Sequence, residues 1–122
     1  MTVYYQKGDW ASRPWGTWEV LGTGSCYIVK KLVILPGESV SLQLHRRRNE
    51  HWVIVQGTAT VTLGEEIKTV YQDESVYIPR EMKHRIANQT SESLILIEVQ
   101  TGDDLSETDI IRFEDKYGRI SN

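Results

Sequence analysis

The sequence predicts an all-β domain made of short antiparallel strands. Gly, Pro, Asn and Asp recur at short intervals along the chain and indicate turns. Between these turns lie short segments rich in β-branched and aromatic residues, some of which alternate between apolar and polar side chains. Short strands separated by frequent turns are typical of an antiparallel sandwich or barrel. The chain has 122 residues, the length of one domain, and we expect residues 1–122 to form it.

The expected strands follow one another from residue 26 to residue 100. In the segment 58–63, Ala59, Val61 and Leu63 share one face and threonines occupy the other, which is the period of a half-buried strand. Residues 94–97 are apolar on both faces, so we expect this strand to be central in its sheet. The expected strands are 26–35, 39–44, 51–56, 58–63, 68–71, 76–78, 85–87 and 93–100.

Turn signals mark the ends of these strands. Gly22-Thr-Gly24 is too short for a dinucleotide-binding loop and is interpreted as a hairpin turn. Pro36-Gly37 ends the expected strand 26–35. Only the tails leave room for helix. There, Ser106-Glu-Thr-Asp109 has a weak capping pattern that predicts a short turn.

Composition and charge exclude several classes of protein. The net charge of −3 argues against a nucleic-acid partner, whose binding surface would be basic. No apolar segment reaches the ~20 residues of a membrane span, and no signal peptide is evident at the first residues. The single cysteine, Cys26, excludes an internal disulfide and a cysteine-rich zinc site. We therefore expect a cytoplasmic protein with neither a membrane nor a nucleic-acid partner.

Four side chains have the chemistry of a metal site. Gln43 and His45 share one face of their expected strand, because side chains repeat every two residues. Glu50 follows after a tight connection and can return on the neighbouring strand, and His84 can add a donor from a distant strand. One amide oxygen, two imidazoles and one carboxylate suit a divalent transition metal with open positions. Residue types alone leave the ordinary alternative, hydrogen-bonded or solvated side chains, open.

The spacing of these residues resembles the first motif of the cupin superfamily, G-x5-H-x-H-x3–4-E-x6-G. Counting back from Gly57 makes Glu50 the motif glutamate and His45 the second motif histidine, so that Gln43 takes the place of the first. The alternative register, with His45 as the first histidine, is excluded because residue 47 is Arg47. The resemblance implies a double-stranded β-helix, a jelly-roll barrel of antiparallel strands.

The second cupin motif, G-x5-P-x-G-x2-H-x3-N, is also matched in part. Pro79, His84 and Asn88 occupy its proline, histidine and asparagine positions. Asp73 and Glu81 stand where the motif has glycine, which concerns backbone turns and leaves the ligands intact. Asn88 itself is interpreted as a turn-stabilising side chain.

A narrower resemblance runs from about Arg13 to Arg119. The chain is similar to the C-terminal cupin of type II mannose-6-phosphate isomerases, which is often fused to a mannose-1-phosphate guanylyltransferase. That family uses the Gln-x-His order for zinc, so the resemblance implies Gln43 as a ligand. Where relatives commonly carry histidines, this chain has Arg46-Arg47, which bears on substrate identity. The matching segments are 13–16, 29–30, 35–37, 41–45, 48–52, 77–79, 84–85, 97–100, 109–112 and 114–119.

The resemblance implies a metal-dependent isomerase that interconverts mannose 6-phosphate and fructose 6-phosphate. The expected cofactor is a divalent metal, zinc first, with manganese, cobalt, nickel and iron as alternatives. A proton must move between C1 and C2, and Lys30, Glu98 and Arg85 are the candidates for the base; spacing does not choose among them. Arg48 and Arg85 are the candidates for binding the phosphate, since the planar guanidinium suits it.

Two other functions compete with the isomerase. One is a non-catalytic cupin that binds a sugar or sugar nucleotide and regulates a partner; the other is a different metal-cupin enzyme, such as another sugar isomerase or an oxygenase. In either case we expect a homodimer, because the apolar segment 93–100 and several tryptophans exceed what one small barrel can hide. We expect Arg46, Arg47 and His51 to lie outside the site, and Trp15, Trp18 and Trp52 to be core or interface aromatics.

Overall fold

β-Strands and connecting turns make up the part of the chain that the structure, a computed structural model, describes: residues 5–106, 108–115 and 117. This part contains no helix that could cross a membrane. The strands are β1 (Trp10–Arg13), β2 (Gly16–Thr23), β3 (Tyr27–Ile34), β4 (Leu42–Leu44), β5 (Arg48–Gln56), β6 (Ala59–Leu63), β7 (Glu66–Val70), β8 (Ser75–Ile78), β9 (His84–Ala87), β10 (Leu94–Gly102) and β11 (Ile111–Glu114).

The strands form two antiparallel sheets. The six-stranded sheet has the order β1-β2-β3-β10-β5-β8, and the five-stranded sheet has the order β11-β4-β9-β6-β7. The predicted all-β, antiparallel fold class is confirmed. The segment expected to be central is β10, which pairs with both β3 and β5. Its inward side chains are buried and its outward side chains are half-buried.

Three strands were not predicted from the sequence: β1, β2 and β11. The segment that forms β1 and β2 contains Pro14, Gly16 and Gly22, which interrupt the alternation by which strands are recognised. Pro14 and Trp15 form the turn between them, since Arg13 pairs with Gly16. At the other end, the expected turn closes where the Asp109 amide donates to the Ser106 carbonyl, 3.3 Å away. Glu107 and the matching residues 116, 118 and 119 lie outside the described residues.

Burial alternates along the strands and places the core between the two sheets. Ile34, Ile54, Leu94 and Leu96 of the six-stranded sheet meet Ala59, Val61 and Ile86 of the other in one apolar cluster. Trp15 and Trp52 belong to this cluster, as expected, and the half-buried Trp18 also packs against a second cluster around Val20 and Ile28. The pairing register of the strands is therefore set by the side chains on their inward faces. The same faces carry the polar residues of the site.

The two motif positions that lack glycine nevertheless adopt the glycine conformation. Asp73 and Glu81 have φ angles of 72° and 69°, and they are the non-glycine residues with positive φ among those described. In this left-handed region a Cβ is disfavoured, which explains why the motif has glycine there. The turn at Glu81 contacts the site, because the Glu81 amide donates to the His45 carbonyl at 2.6 Å.

Candidate metal centre and active site

Strand pairing brings the polar residues of both sheets into one cavity. In the six-stranded sheet, Glu50 on β5 pairs with Gln100 on β10. In the five-stranded sheet, Gln43 on β4 pairs with His84 on β9, and His45 follows directly after β4. All five side chains are buried and line a cavity of about 350 Å³. The four predicted metal ligands, Gln43, His45, Glu50 and His84, therefore share one site.

His45, Glu50 and His84 form a cluster with the geometry to hold a metal ion, which we call the metal cluster. One ligand atom from each of the three residues lies within 4.8 Å of the others. Nε2 of His45 is 3.2 Å from Oε2 of Glu50. The rings of His45 and His84 are tilted by 46° to each other, with their centroids 5.1 Å apart. Three donors from three separate segments thus converge on one point inside the barrel.

Backbone carbonyls fix the tautomers of both histidines. Nδ1 of His45 lies 2.6 Å from the Asp109 carbonyl, and Nδ1 of His84 lies 2.9 Å from the Met82 carbonyl. A carbonyl only accepts, so each Nδ1 carries a proton, and in a neutral ring the lone pair is then on Nε2, which is directed away from the carbonyl. This is the orientation that metal-binding imidazoles have, with the other ring nitrogen held by an acceptor.

Glu50 is buried and ionised. Burial opposes its ionisation, but the charges around it, Arg48 first, hold the pKa of Glu50 well below its ordinary range. Trp52 donates from Nε1 to Oε1 of Glu50 at 2.9 Å, and Arg48 donates from Nε to Oε2 at 2.9 Å. Both carboxylate oxygens are therefore held in place.

The protonation states of the cluster fit a divalent metal. Burial lowers the pKa of His84 to about 4, although Glu50 opposes the change, so this imidazole is neutral near pH 7. Two imidazoles and one carboxylate form the donor set that zinc and related ions use, and Gln43 adds an amide oxygen at the same cavity. The residues present therefore fit such an ion.

A second buried group lies beside the metal cluster. Glu98 on β10 pairs with Lys30 on β3 and with Trp52 on β5. Burial raises the pKa of Glu98 to about 7; the negative charge of Glu50 adds to the effect, and Lys30 opposes it. Gln100 donates a short hydrogen bond from Nε2 to Oε1 of Glu98. Glu98 therefore exchanges its proton near neutral pH.

Lys30 lies against an aromatic wall. Its Nζ is 4.0 Å from the centre of the Tyr5 ring and 4.7 Å from that of Trp18. Aromatic faces attract an ammonium group, so these contacts hold the Lys30 side chain against the two rings. The structure thus brings Lys30 and Glu98, two of the three candidate bases, into the cavity beside the metal cluster.

Arg48 and Arg85, the two arginines expected to bind phosphate, have different positions. Arg48 lies inside the metal cluster, where its side chain is only 10% exposed. Arg85 faces away from the cavity, because it follows the inward-facing His84 by one residue on β9. Its guanidinium pairs with Glu114 at 3.1 Å. The structure therefore does not bring Arg85 to the site as a base or as a phosphate ligand.

The sequence of this chain matches the family described as "Mannose-6-phosphate isomerase C-terminal" over residues 4–115. The chain belongs to this family. The match includes every residue placed above in the metal cluster and in the group beside it.

The relatives that this chain matches are longer proteins, and the match covers one part of each. The chain is 46% identical over 108 residues to the mannose-1-phosphate guanylyltransferase ManC of Salmonella typhimurium, covering 88% of this chain and 22% of that protein. It is 48% identical over 107 residues to the xanthan biosynthesis protein XanB of Xanthomonas campestris pv. campestris, covering 88% and 23%. It is 46% identical over 109 residues to the alginate biosynthesis protein AlgA of Pseudomonas putida, covering 89% and 22%. The chain therefore spans less than a quarter of the length of these relatives.

Solved structures show that the fold is the cupin jelly roll. The capsular polysaccharide assembling protein CapF of Staphylococcus aureus matches with a TM-score of 0.75 and 20% identity, covering 92% of this chain and 33% of that one. The cupin domain of Schizosaccharomyces pombe Cnp3 matches with a TM-score of 0.69 and 17% identity, covering 71% and 64%. The predicted double-stranded β-helix is confirmed.

The structure adds residues to the site of this isomerase-family domain that the sequence interpretation left out. Arg13 on β1, Arg112 on β11, Ser41 and Tyr5 line the same cavity. Arg112 is brought there by its pairing with Gln43. Arg13 and Arg112 lie in segments that match the type II isomerases, and this was the available signal. Their roles were missed because β1 and β11 were not recognised as strands.

The residues expected outside the site are outside it. His51 faces the outer side of the six-stranded sheet, where its ring stacks on Tyr77 at 4.6 Å. Arg47 is exposed and pairs with Asp103 at 3.2 Å. Asn88 donates from Nδ2 to the carbonyls of Ile34 and Glu92, which makes it a turn-stabilising residue.

Proposed function

We propose that this chain is a metal-dependent aldose–ketose isomerase that interconverts mannose 6-phosphate and fructose 6-phosphate. One observation carries the proposal. A single cavity contains a donor set for a divalent ion, and beside it a buried carboxyl whose pKa of about 7 suits proton transfer. Membership of the mannose-6-phosphate isomerase family supports the same reaction.

Gln43, His45, Glu50 and His84 would hold the ion, for which we propose zinc. When bound, such an ion supplies Lewis acidity toward the two neighbouring substrate oxygens on C1 and C2. The chain prepares for this by orienting both imidazoles through carbonyl contacts at Nδ1 and by burying the Glu50 carboxylate next to them. One carboxylate leaves a divalent ion with net positive charge, which suits oxygens that become negative during the reaction.

Glu98 is the proposed base. A base must be deprotonated when it acts, and a carboxyl with a pKa of about 7 is half ionised near neutral pH. The carboxylate would take the proton from C2 of the aldose phosphate and return it to C1, while the hydroxyl proton on O2 is transferred to O1. Lys30 is the less suitable base, because its Nζ is packed over the rings of Tyr5 and Trp18.

The cations of the cavity suit a phosphorylated substrate. Lys30, Arg13, Arg48 and Arg112 line the cavity together with two carboxyl groups, Glu50 and Glu98. Because Glu98 is partly protonated near neutral pH, the cavity has excess positive charge, which favours an anionic ligand. We propose that Arg13 and Arg112, on the two outer strands that flank the cavity, bind the phosphate.

A coupled assay for fructose 6-phosphate tests the proposal. The protein is stripped of metal and reloaded with zinc, cobalt, manganese or nickel, and Glu98→Gln is assayed in parallel. We expect turnover in the reloaded wild type and its loss in Glu98→Gln. Saturable binding of mannose 6-phosphate without turnover, in folded and metal-loaded protein, would instead support the non-catalytic sugar-binding module. We do not propose guanylyltransferase activity, because the chain covers only 22% of the relative that is named for it.

A further inference from the structure

The guanidinium of Arg48 occupies the metal cluster. Its Nε donates to Oε2 of Glu50 at 2.9 Å, and its second terminal nitrogen lies 3.0 Å from Nε2 of His45. Guanidinium nitrogens only donate, so Nε2 of His45 is the acceptor, in agreement with the tautomer set by Asp109. Two of the proposed metal ligands are thus bridged by one planar cation.

The two acceptors need a cation near them. Nε2 of His45 and Oε2 of Glu50 are 3.2 Å apart, and both face guanidinium nitrogens of Arg48 as acceptors. Two lone pairs this close repel unless a positive group lies between or beside them. Arg48 supplies that charge, which makes it the internal counterpart of a metal ion.

A metal ion and Arg48 compete for the same lone pair, the one on Nε2 of His45. The unprotonated nitrogen of His45 has a single lone pair in the ring plane, and this pair either accepts from Arg48 or binds a metal. An ion at the cluster would also repel the guanidinium, since both are positive and both are buried away from water. Metal binding therefore requires that Arg48 leave His45.

We propose that Arg48 is a built-in competitor of the metal, displaced into the cavity when the ion binds and then available to an anionic group there. This second step rests on the proposed function, in which the anion is the phosphate of a sugar phosphate. The cavity already contains Arg13, Lys30 and Arg112, so a displaced guanidinium adds to its positive charge. A phosphorylated ligand that meets Arg48 only after its displacement must favour metal binding, because coupling between two sites is reciprocal.

The first experiment measures metal affinity with no substrate present. Apo-protein is titrated with cobalt(II), whose visible absorbance reports coordination, in wild type, in Arg48→Met and in Arg47→Met. Methionine keeps the length of the side chain and removes its charge. Arg47 is the matched control, since it lies one residue away, is 55% exposed and pairs with Asp103. We expect Arg48→Met to bind cobalt about 5- to 150-fold more tightly than wild type, the usual range of coupling between sites.

Unchanged or weaker cobalt binding by Arg48→Met, with wild-type circular dichroism, would overturn the competition. Arg48→Lys provides a second check, because it keeps the charge and loses the planar fork. We expect its cobalt affinity to lie between those of wild type and Arg48→Met. An affinity equal to that of wild type would show that charge alone, and not the bridging geometry, opposes the metal, and would overturn the proposed geometry.

The second experiment repeats the titrations with saturating mannose 6-phosphate. In wild type and in Arg47→Met we expect the sugar phosphate to tighten cobalt binding, and in Arg48→Met we expect that gain to fall at least severalfold. An equal gain in all three proteins would overturn the link to phosphate. These titrations do not depend on turnover, so a failed isomerase assay and a failed Arg48 proposal give different results.

Discussion

Glu98 and Lys30 lie directly opposite each other on the paired strands β10 and β3, and both are buried. The lysine is held by Tyr5 and Trp18 on one side of the pair, and the carboxyl is held by Gln100 on the other. A buried carboxyl with a raised pKa, in the cavity that also contains the metal cluster, is a candidate functional group.

Replacing Glu98 tests its role as the base. Glu98→Gln keeps the shape and removes the ionisable group, so we expect kcat to fall by roughly 10²- to 10⁴-fold, the usual contribution of a general base. KM should change little, since the amide keeps the contact to Gln100. Steady-state kinetics with mannose 6-phosphate measure both constants. A kcat within a few-fold of wild type would transfer the role to another group.

The pH dependence of the wild type should report the same carboxyl. Glu98 faces Lys30, Glu50 and Arg48, and its pKa of about 7 reflects burial first and these charges second. Only the ionised form takes a proton, so activity should rise with pH through about 7 and fall away below it. A pH–rate profile of the metal-loaded enzyme shows this limb. A flat profile between pH 5.5 and 8 would contradict the assignment.

In the metal-free protein, the contribution of Glu98 to folding stability should fall as the pH rises, which is the opposite of the trend in activity. Its pKa is about 7 in the fold and 4.5 ordinarily, so the folded state holds this proton more tightly than the unfolded chain does. The stabilisation is fully present below about pH 4.5 and is lost as the pH rises through about 7. The difference between wild type and Glu98→Gln isolates this effect from those of Glu50 and His84. Urea unfolding with a chelator, at several pH values, measures it.

The metal content of the purified protein tests whether the metal cluster binds an ion. His45→Ala removes one of four donors, and we expect the purified variant to lose its bound zinc on dialysis while wild type keeps it. His51→Ala is the matched control, because His51 is exposed on the outer face of the sheet. Elemental analysis after identical dialysis gives the answer. Equal metal in wild type and His45→Ala would remove His45 from the site.

The phosphate contact should affect KM more than kcat. Arg112→Met removes a cavity cation, and we expect KM for mannose 6-phosphate to rise roughly tenfold to a hundredfold, since a charge-assisted hydrogen bond contributes about 1.5–3 kcal/mol. Arg85→Met is the control, because Arg85 pairs with Glu114 outside the cavity. Arg112→Lys, which keeps the charge, should recover part of the loss. If Arg85→Met raised KM as much as Arg112→Met, the assignment would be contradicted.

We also propose a homodimer, formed through the outer face of the six-stranded sheet. Val53, Val55 and Tyr77 are between 40% and 51% exposed on this face. Segment 93–100 cannot pair through its edge, because β10 already has two neighbours. We expect light scattering to give twice the 14.1 kDa of one chain, and Val53→Lys to give a monomer. Ile67→Lys, on β7 of the other sheet, is the control. A wild-type mass near 14.1 kDa would contradict the dimer.

The alternation of side chains between the two faces of a strand decided how much of the site could be predicted from the sequence. It placed Gln43 with His45 and separated His51 from Glu50, and the structure has both arrangements. Applied to β9, the same rule separates Arg85 from His84, which would have kept Arg85 out of the site. The place of Arg112 depends on which strands pair across the fold, and local sequence does not contain that information.

The contacts of Asp109 bear on when the site can form. Its carbonyl orients His45 across 64 residues of sequence, and its carboxylate accepts from the amides of Arg46 and Arg47 at 3.0 and 2.9 Å. His45 is synthesised 64 residues before Asp109, which orients it. A nascent chain that ends before Asp109 thus contains the ligands without their orientation. Acquisition of the ion would then be a late event in biosynthesis, and a bound ion would mark a chain whose folding has reached this residue.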